Sequence, residues 1–135
     1  MPDPAAAKTP APCVLVVEDE ILVRMFAVDV LEEAGFEALQ AGSGAEALQV
    51  FAARKADLQA IIIDLGLPDR RGDEIAAEFR QQYPQLPIVI ASGRSERELL
   101  GQFASDSSVA ILPKPYTEPL MLEVLAGLGV SAKSS

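Results

Sequence analysis

The chain has 135 residues, half of them apolar, and this size and composition predict one domain with a sizeable core. Its 20 acidic and 11 basic residues give a formal net charge of −9, which argues against nucleic acid or an anionic membrane as a direct partner. With one cysteine and no histidine, the sequence excludes an intrachain disulfide and a phosphohistidine of its own.

The chain alternates between short apolar runs and segments in which apolar residues recur at helical spacing. Residues 1–12 contain four prolines and no periodicity, which predicts a disordered leader, and residues 131–135 predict a flexible tail. Residues 13–130 form the predicted domain. Its predicted strands cover residues 13–18, 36–41, 59–64, 87–91 and 108–112. Its predicted helices cover residues 21–34, 43–54, 72–83, 95–103 and 117–128, one after each strand.

Short motifs indicate where several of these helices begin and end. Gly35 is expected to end the first helix. Capping-box patterns at residues 43–46 and 95–98 precede the second and fourth helices. Thr117 can cap the last helix, and Cys13, at the start of an apolar run, is expected to be a small buried side chain.

Five strand–helix units of this length predict a parallel sheet covered by helices on both faces. The uninterrupted apolar runs are typical of strands buried on both sides, whereas the second strand alternates with polar residues and suits an edge. With right-handed crossovers, the expected fold is α/β: a flavodoxin-like, doubly wound (βα)5 sheet with strand order 2-1-3-4-5.

Three of the predicted strands end in charged residues. Glu18 and Asp19 follow the first strand, Asp64 ends the third, and Lys114 follows the fifth. Because the carboxyl ends of parallel strands share one edge, these side chains should converge where the strand order reverses. Closely spaced carboxylates favour a divalent cation such as Mg²⁺, and one of them can accept a phosphoryl group. Lys114, and Ser92 at the end of the fourth strand, could contact the phosphoryl oxygens.

Each of these residues alone has an ordinary explanation. An acid after a strand can cap the next helix, and Asp64 or Ser92 can form a turn. Lys114 alone would be a surface lysine. Chance is nevertheless a poor account of all of them together, at corresponding ends of four predicted strands.

The combined pattern resembles the receiver domains of two-component response regulators over about residues 13–129. The resemblance is carried by the segments VVEDE, IIIDLGLPDRRGDE, IVIASG and LPKPY. It implies that Asp64 is the phosphoacceptor and Asp19 a direct Mg²⁺ ligand. It also implies that Glu18 is the partner acid, acting through water, and that the main-chain carbonyl of Gly66 is a further metal ligand.

The same resemblance implies that Ser92 and Lys114 contact the phosphoryl group and that the Lys114–Pro115 peptide bond is cis. This chain departs from the family in the residue that usually reports phosphorylation. Receivers usually carry a tyrosine or phenylalanine whose ring turns inward, and this chain has Ile111 at that position. Tyr116 is the nearest aromatic residue, and signalling is then expected to rely on backbone shifts after Ser92. Gly66 and Arg94 occupy two further positions of interest. In the family, the residues at these positions tune how fast the phosphoryl group is lost.

The expected function is that of a single-domain response regulator in bacterial two-component signalling. A histidine kinase or a histidine phosphotransfer protein would donate the phosphoryl group. The chain would catalyse only its own phosphorylation and dephosphorylation, and would contact a downstream protein through residues 95–129. It would be a monomer or a phosphorylation-dependent dimer. Lacking a signal peptide and a membrane-length apolar run, it is expected in the cytoplasm.

Several alternatives stay open. Met1 and the short tail favour a complete chain, but the sequence could be the excised receiver of a longer hybrid kinase or regulator. Ile111 leaves open a receiver that acts by partner binding without phosphorylation. A haloacid-dehalogenase-like phosphatase would need a second aspartate where Gly66 stands. A flavodoxin-type cofactor site is disfavoured because the acids of residues 18–20 would repel phosphate.

Overall fold

Five parallel strands form the centre of the protein in a computed structural model, which describes residues 12–93 and 100–131. The strands are β1 (Cys13–Val17), β2 (Glu37–Ala41), β3 (Leu58–Asp64), β4 (Ile88–Ser92) and β5 (Val109–Pro113). Their order in the sheet is β2-β1-β3-β4-β5, and all neighbours pair in parallel. The predicted flavodoxin-like order is therefore confirmed.

The described part of the chain contains four α-helices. They are α1 (Ile21–Glu33), α2 (Gly44–Arg54), α3 (Gly72–Gln82) and α4 (Glu118–Gly127). The predicted helix from Ser95 lies mostly outside the described residues, and its described end, residues 100–103, is a 3₁₀ rather than an α-helix. Leu128 lies just beyond α4, so the last helix ends earlier than predicted. The predicted leader and tail fall almost wholly outside the described residues and stay predictions.

The core has two parts, one on each face of the sheet. Alternate strand residues such as Leu15, Ile63 and Ile90 pack against α2 and α3, whose buried residues include Phe51 and Phe79. The intervening strand residues pack against α1 and α4 on the other face, in a cluster that includes Val14, Val16, Ile62, Leu31, Met121 and Leu125. Burial on both faces explains why the central strands read as continuous apolar runs.

The two outer strands are less buried than the central ones. β2 lies at one edge with exposed polar residues, as its alternating sequence predicts. β5 lies at the other edge, and Ile111 is half-buried there against the α2–α3 side of the core. Ile111 therefore packs against the core, and this position has no aromatic ring that could rotate.

Local hydrogen bonds confirm the predicted caps that the structure describes. The Ser43 hydroxyl accepts from the main-chain N–H of Glu46 at 3.1 Å, and Thr117 caps α4 in the same way. The Glu46 carboxylate accepts from Gly42, one residue earlier than in a reciprocal capping box. Gly35, with φ of 103°, follows the end of α1 in the left-handed region.

The first turns of α1 expose most of their large apolar residues. Four of them are exposed: Ile21, Leu22, Met25 and Phe26, with Leu22 at 81%. The second half of α1 supplies the buried contacts, from Ala27 onward. Among the described residues, no helix combines the length and apolarity that crossing a membrane requires.

Gly72 is the first residue of α3 and lies against Asp64 at the end of β3. A Cβ atom at this position would stand 2.2 Å from the main-chain oxygen of Asp64, much closer than real Cβ contacts allow. The Gly72 N–H also donates to the Leu65 carbonyl at 2.8 Å, which fixes α3 at the end of β3. Glycine is therefore required here for close approach of the backbone.

Gly72→Ala should lower the free energy of unfolding by about 2 kcal/mol or more, because α3 must move away from Asp64 to accept the methyl group. The matched control is Gly127→Ala at the end of α4, where no atom lies within 4 Å of the added Cβ. This control should change stability by less than about 1 kcal/mol. Urea unfolding measures both, and equal effects would contradict the close approach at Gly72.

Candidate functional site

Three acidic side chains meet at the carboxyl ends of β1 and β3. Glu18 and Asp19 follow β1 directly, and Asp64 is the last residue of β3. One carboxylate oxygen from each lies within 4.8 Å of the others. Glu18 and Asp64 are buried, whereas Asp19 is exposed. The structure thus brings together the three acids that the sequence singled out.

The backbone ladder places Ser92 and Lys114 beside this acidic cluster of Glu18, Asp19 and Asp64. Asp64 of β3 pairs with Ala91 of β4, so Ser92 follows immediately at the same edge. The main-chain N–H of Lys114 then donates to the Ser92 carbonyl at 3.0 Å. The parallel register therefore carries the lysine to the acids, although 50 residues separate it from Asp64.

Lys114 is the cation of the cluster. Its Nζ lies 2.8 Å from Asp64 Oδ1 and 3.7 Å from Glu18 Oε1. Burial opposes its charge, but the hydrogen bond to Asp64 and the nearby carboxylates outweigh burial and raise the pKa of the ammonium group. The Lys114–Pro115 peptide bond is cis, as the family resemblance implied.

Glu18 is the acid whose ionisation the site disturbs most clearly. Only 2% of the residue is exposed, and burial raises the pKa of its carboxyl to about 7. The Glu20 N–H, which donates to Oε2 at 3.0 Å, and Lys114 act in the opposite direction, while the charge of Asp64 adds to the rise. Within residues 12–93 and 100–131, the buried Oε1 has no hydrogen-bond partner. Without a bound metal ion, the Glu18 carboxyl would therefore be about half protonated near neutral pH.

The donor set fits a hard divalent cation. Three carboxylates offer oxygen ligands at one point, and a cation there, directly or through a bound water, would satisfy Glu18 Oε1, which has no hydrogen-bond partner among the described residues. Ser92 adds a fully buried hydroxyl that has no hydrogen-bond partner in the described part of the chain, and a group bound there could supply one. Gly66 lies exposed in the loop after β3, and its carbonyl as a metal ligand stays a prediction.

Asp69 is a residue of the site region that the sequence did not reveal. It lies in the loop after β3, and its carboxylate oxygens accept from the first main-chain N–H groups of α2, at Gly44 (2.8 Å) and Ala45 (2.9 Å). These two bonds lower the pKa of the Asp69 carboxyl. The contact ties the loop after β3 to α2. No local motif could have shown it, because its partners are more than 20 residues away in sequence.

The Tyr116 ring packs against α1. Its ring lies 6.1 Å from that of Phe26, and the two rings, with Leu22 and Pro115, line a groove beside Lys114. Burial, with the charge of Glu18 as a second cause, raises the pKa of the Tyr116 phenol to about 12. Tyr116 therefore occupies a different environment from the aromatic residue usual at position 111. Arg94 lies outside the described residues.

A family model described as the response regulator receiver domain matches residues 14–126. Two curated relatives are the sensor kinase CckA of Brucella abortus, 31% identical over 104 residues, and the transcriptional regulatory protein PdtaR of Mycobacterium tuberculosis, 35% identical over 105 residues. Each match covers 77% of this chain, but 11% of CckA and 50% of PdtaR. The chain thus spans half or less of the length of these relatives.

Solved structures show the same fold. The chemotaxis response regulator CheY4 of Vibrio cholerae superposes with a TM-score of 0.73 at 30% identity. The superposition covers 89% of this chain and 99% of the CheY4 chain.

In the absence of metal ions, stability should fall as pH rises from about 4.5 to about 7, because folded Glu18 keeps a proton that the unfolded chain has released. Glu18 contributes at most about 3 kcal/mol to this fall in the free energy of unfolding. Urea unfolding in EDTA across this range measures it. Glu18→Gln should remove this part of the slope, and Glu20→Gln, an exposed acid two residues away, should keep it. Parallel profiles for wild type and Glu18→Gln would contradict the assignment.

Proposed function

The chain belongs to the family of response regulator receiver domains, and from this premise we propose that it acts as a single-domain response regulator. Asp64 would accept a phosphoryl group from a phosphohistidine donor, with Mg²⁺, and thereby change the chain's binding to a protein partner. The observation that carries the proposal is the 2.8 Å pair between Asp64 and Lys114 within the acidic cluster. Receiver domains are signalling domains, so the chain would catalyse only its own phosphorylation and dephosphorylation.

Asp64 is proposed as the nucleophile. One of its carboxylate oxygens would attack the phosphorus atom while the bond from phosphorus to the donor's imidazole nitrogen breaks. The electron pair of that bond stays on the imidazole, and an acyl phosphate forms on Asp64. Attack of water on the acyl phosphate would later restore the carboxylate and release inorganic phosphate.

Lys114 and Ser92 are proposed to bind the transferred group. The Lys114 ammonium group already contacts Asp64 Oδ1, so it can neutralise a phosphoryl oxygen attached there. The buried Ser92 hydroxyl has no partner in the described structure and could donate to another phosphoryl oxygen. Phosphorylation would thus satisfy a polar group that is otherwise left without a hydrogen bond.

Mg²⁺, when bound, would supply positive charge that offsets the charge of the carboxylates and of the transferred group. We assign Asp19 and Asp64 as direct ligands, with Glu18 acting through water and Gly66 offering its main-chain carbonyl. The close grouping of the three acids and the unpartnered oxygen of Glu18 support this assignment.

The donor is proposed to be a histidine kinase or a histidine phosphotransfer protein, because this chain has no histidine. Such a protein must place an imidazole next to Asp64, so it must cover the surface around the cluster. Four exposed apolar side chains on α1, beside the groove at Tyr116, offer a contact surface there: Ile21, Leu22, Met25 and Phe26. The exchange is expected in the cytoplasm, which stays a prediction.

The output surface is proposed to be the face formed by residues 95–129. Two side-chain contacts join α3 to the described part of this face. Gln102 Nε2 donates to Asp73 Oδ2 at 3.3 Å, and Arg80 Nε donates to Asp106 Oδ2 at 2.8 Å. Asp73 is fully buried and also accepts two hydrogen bonds from Arg71, at 3.0 and 3.1 Å, so Gln102 is a further donor to a carboxylate that is already paired.

These contacts suggest how a signal could travel without an aromatic residue at position 111. α3 begins at Gly72 against the main chain of Asp64, and two of its side chains bond to Gln102 and Asp106. A shift at Asp64 could therefore bias the output face through α3 as well as through the segment after Ser92. Whether the phosphorylated chain is a monomer or a dimer stays a prediction.

Two alternatives have specific support. The match to CckA, which covers 11% of that kinase, favours a receiver excised from a longer hybrid kinase or regulator. A receiver acting by partner binding alone is supported by Ile111, while the intact cluster with Lys114 and Ser92 supports phosphorylation.

Incubation with acetyl phosphate and Mg²⁺ should add the mass of one phosphoryl group to the intact chain. Asp64→Asn should abolish the adduct because the substituted amide is a poor nucleophile for phosphorus. Asp29→Asn on the exposed side of α1 is the matched control and should leave the adduct unchanged. Intact-protein mass spectrometry measures all three proteins.

Two results would contradict the proposed function. One is an adduct that persists in Asp64→Asn. The other is a wild-type chain that stays unmodified at saturating Mg²⁺, which would favour partner binding without phosphorylation.

A further inference from the structure

Arg24 on α1 reaches back to the acidic segment that precedes its helix. Its side chain is half-buried, and its Nη1 donates to the main-chain oxygen of Glu18 at 2.7 Å. Its Nε donates to Gln40 Oε1 on β2 at 3.1 Å. One guanidinium group thus joins α1, the end of β1 and the edge strand β2.

The neighbouring backbone leaves room for this guanidinium group. A Cβ atom at Gly42 would lie 3.0 Å from Arg24 Nη1, so a larger residue there would press on the arginine. The Gly42 N–H is itself bound to the Glu46 carboxylate at 2.7 Å. The end of β2 is therefore fixed on one side by α2 and contacts Arg24 on the other.

Arg24 completes the main-chain hydrogen bonds of Glu18. The Glu18 N–H donates to the Ala41 carbonyl at 2.9 Å, and the Glu18 carbonyl accepts from Arg24. Both the N–H and the carbonyl of Glu18 are thus hydrogen-bonded. The carbonyl belongs to the peptide unit between Glu18 and Asp19. Asp19 is exposed, so the surrounding core does little to hold its side chain.

We propose that Arg24 is a positioning residue for the Mg²⁺ site. By holding the peptide between Glu18 and Asp19, it keeps the Asp19 carboxylate near that of Asp64, where the three acids can share one cation. This inference rests on the proposed function, in which these acids bind Mg²⁺.

The positioning role and the charge of Arg24 predict opposite effects on metal affinity. A guanidinium cation near the site repels Mg²⁺, so its removal should tighten binding if charge is all that matters. If Arg24 positions Asp19, its removal should weaken binding. The sign of the change therefore separates the two explanations.

The test is an NMR titration of the metal-free full chain with Mg²⁺ alone. Arg24→Met should raise the dissociation constant roughly tenfold, as loss of groups that orient metal ligands typically does. Arg24→Lys keeps the charge but loses the two-branched donor, so it should weaken binding less. The matched control, Arg54→Met, removes the same charge from an exposed arginine that pairs with Glu37 and Asp57, and should leave affinity unchanged.

A kinetic readout distinguishes positioning from general damage to the fold. With acetyl phosphate as donor, Arg24→Met should raise the Mg²⁺ concentration for half-maximal phosphorylation by the same factor and keep the maximal rate. Gln40→Ala, which removes one acceptor of the guanidinium group, should show a smaller shift and serves if Arg24→Met fails to fold.

Unchanged or tighter Mg²⁺ binding by a folded Arg24→Met variant would overturn the inference, as would a fall in maximal rate with no shift in the Mg²⁺ requirement. If Arg24→Met does not fold, unchanged binding by both Arg24→Lys and Gln40→Ala would overturn it. Failure of the wild-type chain to bind Mg²⁺ would overturn the proposed function as well, so the two failures are distinguishable.

Discussion

The close approach of three carboxylates at the ends of β1 and β3 is the constraint on which the site depends. Glu18, Asp19 and Asp64 offer oxygens within 4.8 Å of one another, and two of these acids are buried. Such a group is stable only if a proton or a cation offsets its charge. In the described structure Lys114 does so for Asp64, while burial pushes Glu18 toward its protonated form. Because Lys114 supplies one positive charge beside three acids, a metal ion would offset the negative charge that remains.

Much of the fold and the main side chains of the site could be predicted from the sequence, because both follow from strand ends. Continuous apolar runs indicated buried parallel strands, and the polar alternation of 36–41 indicated the edge. Once the strand order is fixed, the backbone register brings Asp64, Ser92 and Lys114 to one edge. The chemistry proposed for these residues still rests on the family resemblance and on their geometry.

The contacts that hold the site in place could not be predicted, because they join residues far apart in sequence. Asp69 caps α2 from another loop, and Arg24 bonds to Gln40 across two elements. The exposure of the first turns of α1 could not be predicted either, for a different reason. Helical spacing shows that a segment is amphipathic, but not how much of its apolar face the rest of the chain covers, as Leu22 illustrates.

The most direct test of the central claim is a crystal structure with Mg²⁺ and beryllofluoride, which mimics a phosphoryl group. The account predicts beryllofluoride bonded to Asp64, with fluorine atoms contacting Lys114 Nζ and the Ser92 hydroxyl, and Mg²⁺ bound by Asp19. Contradiction would be a structure at saturating ligand in which Lys114 still pairs with the unmodified Asp64 carboxylate, Ser92 stays unpartnered and no metal lies among the acids.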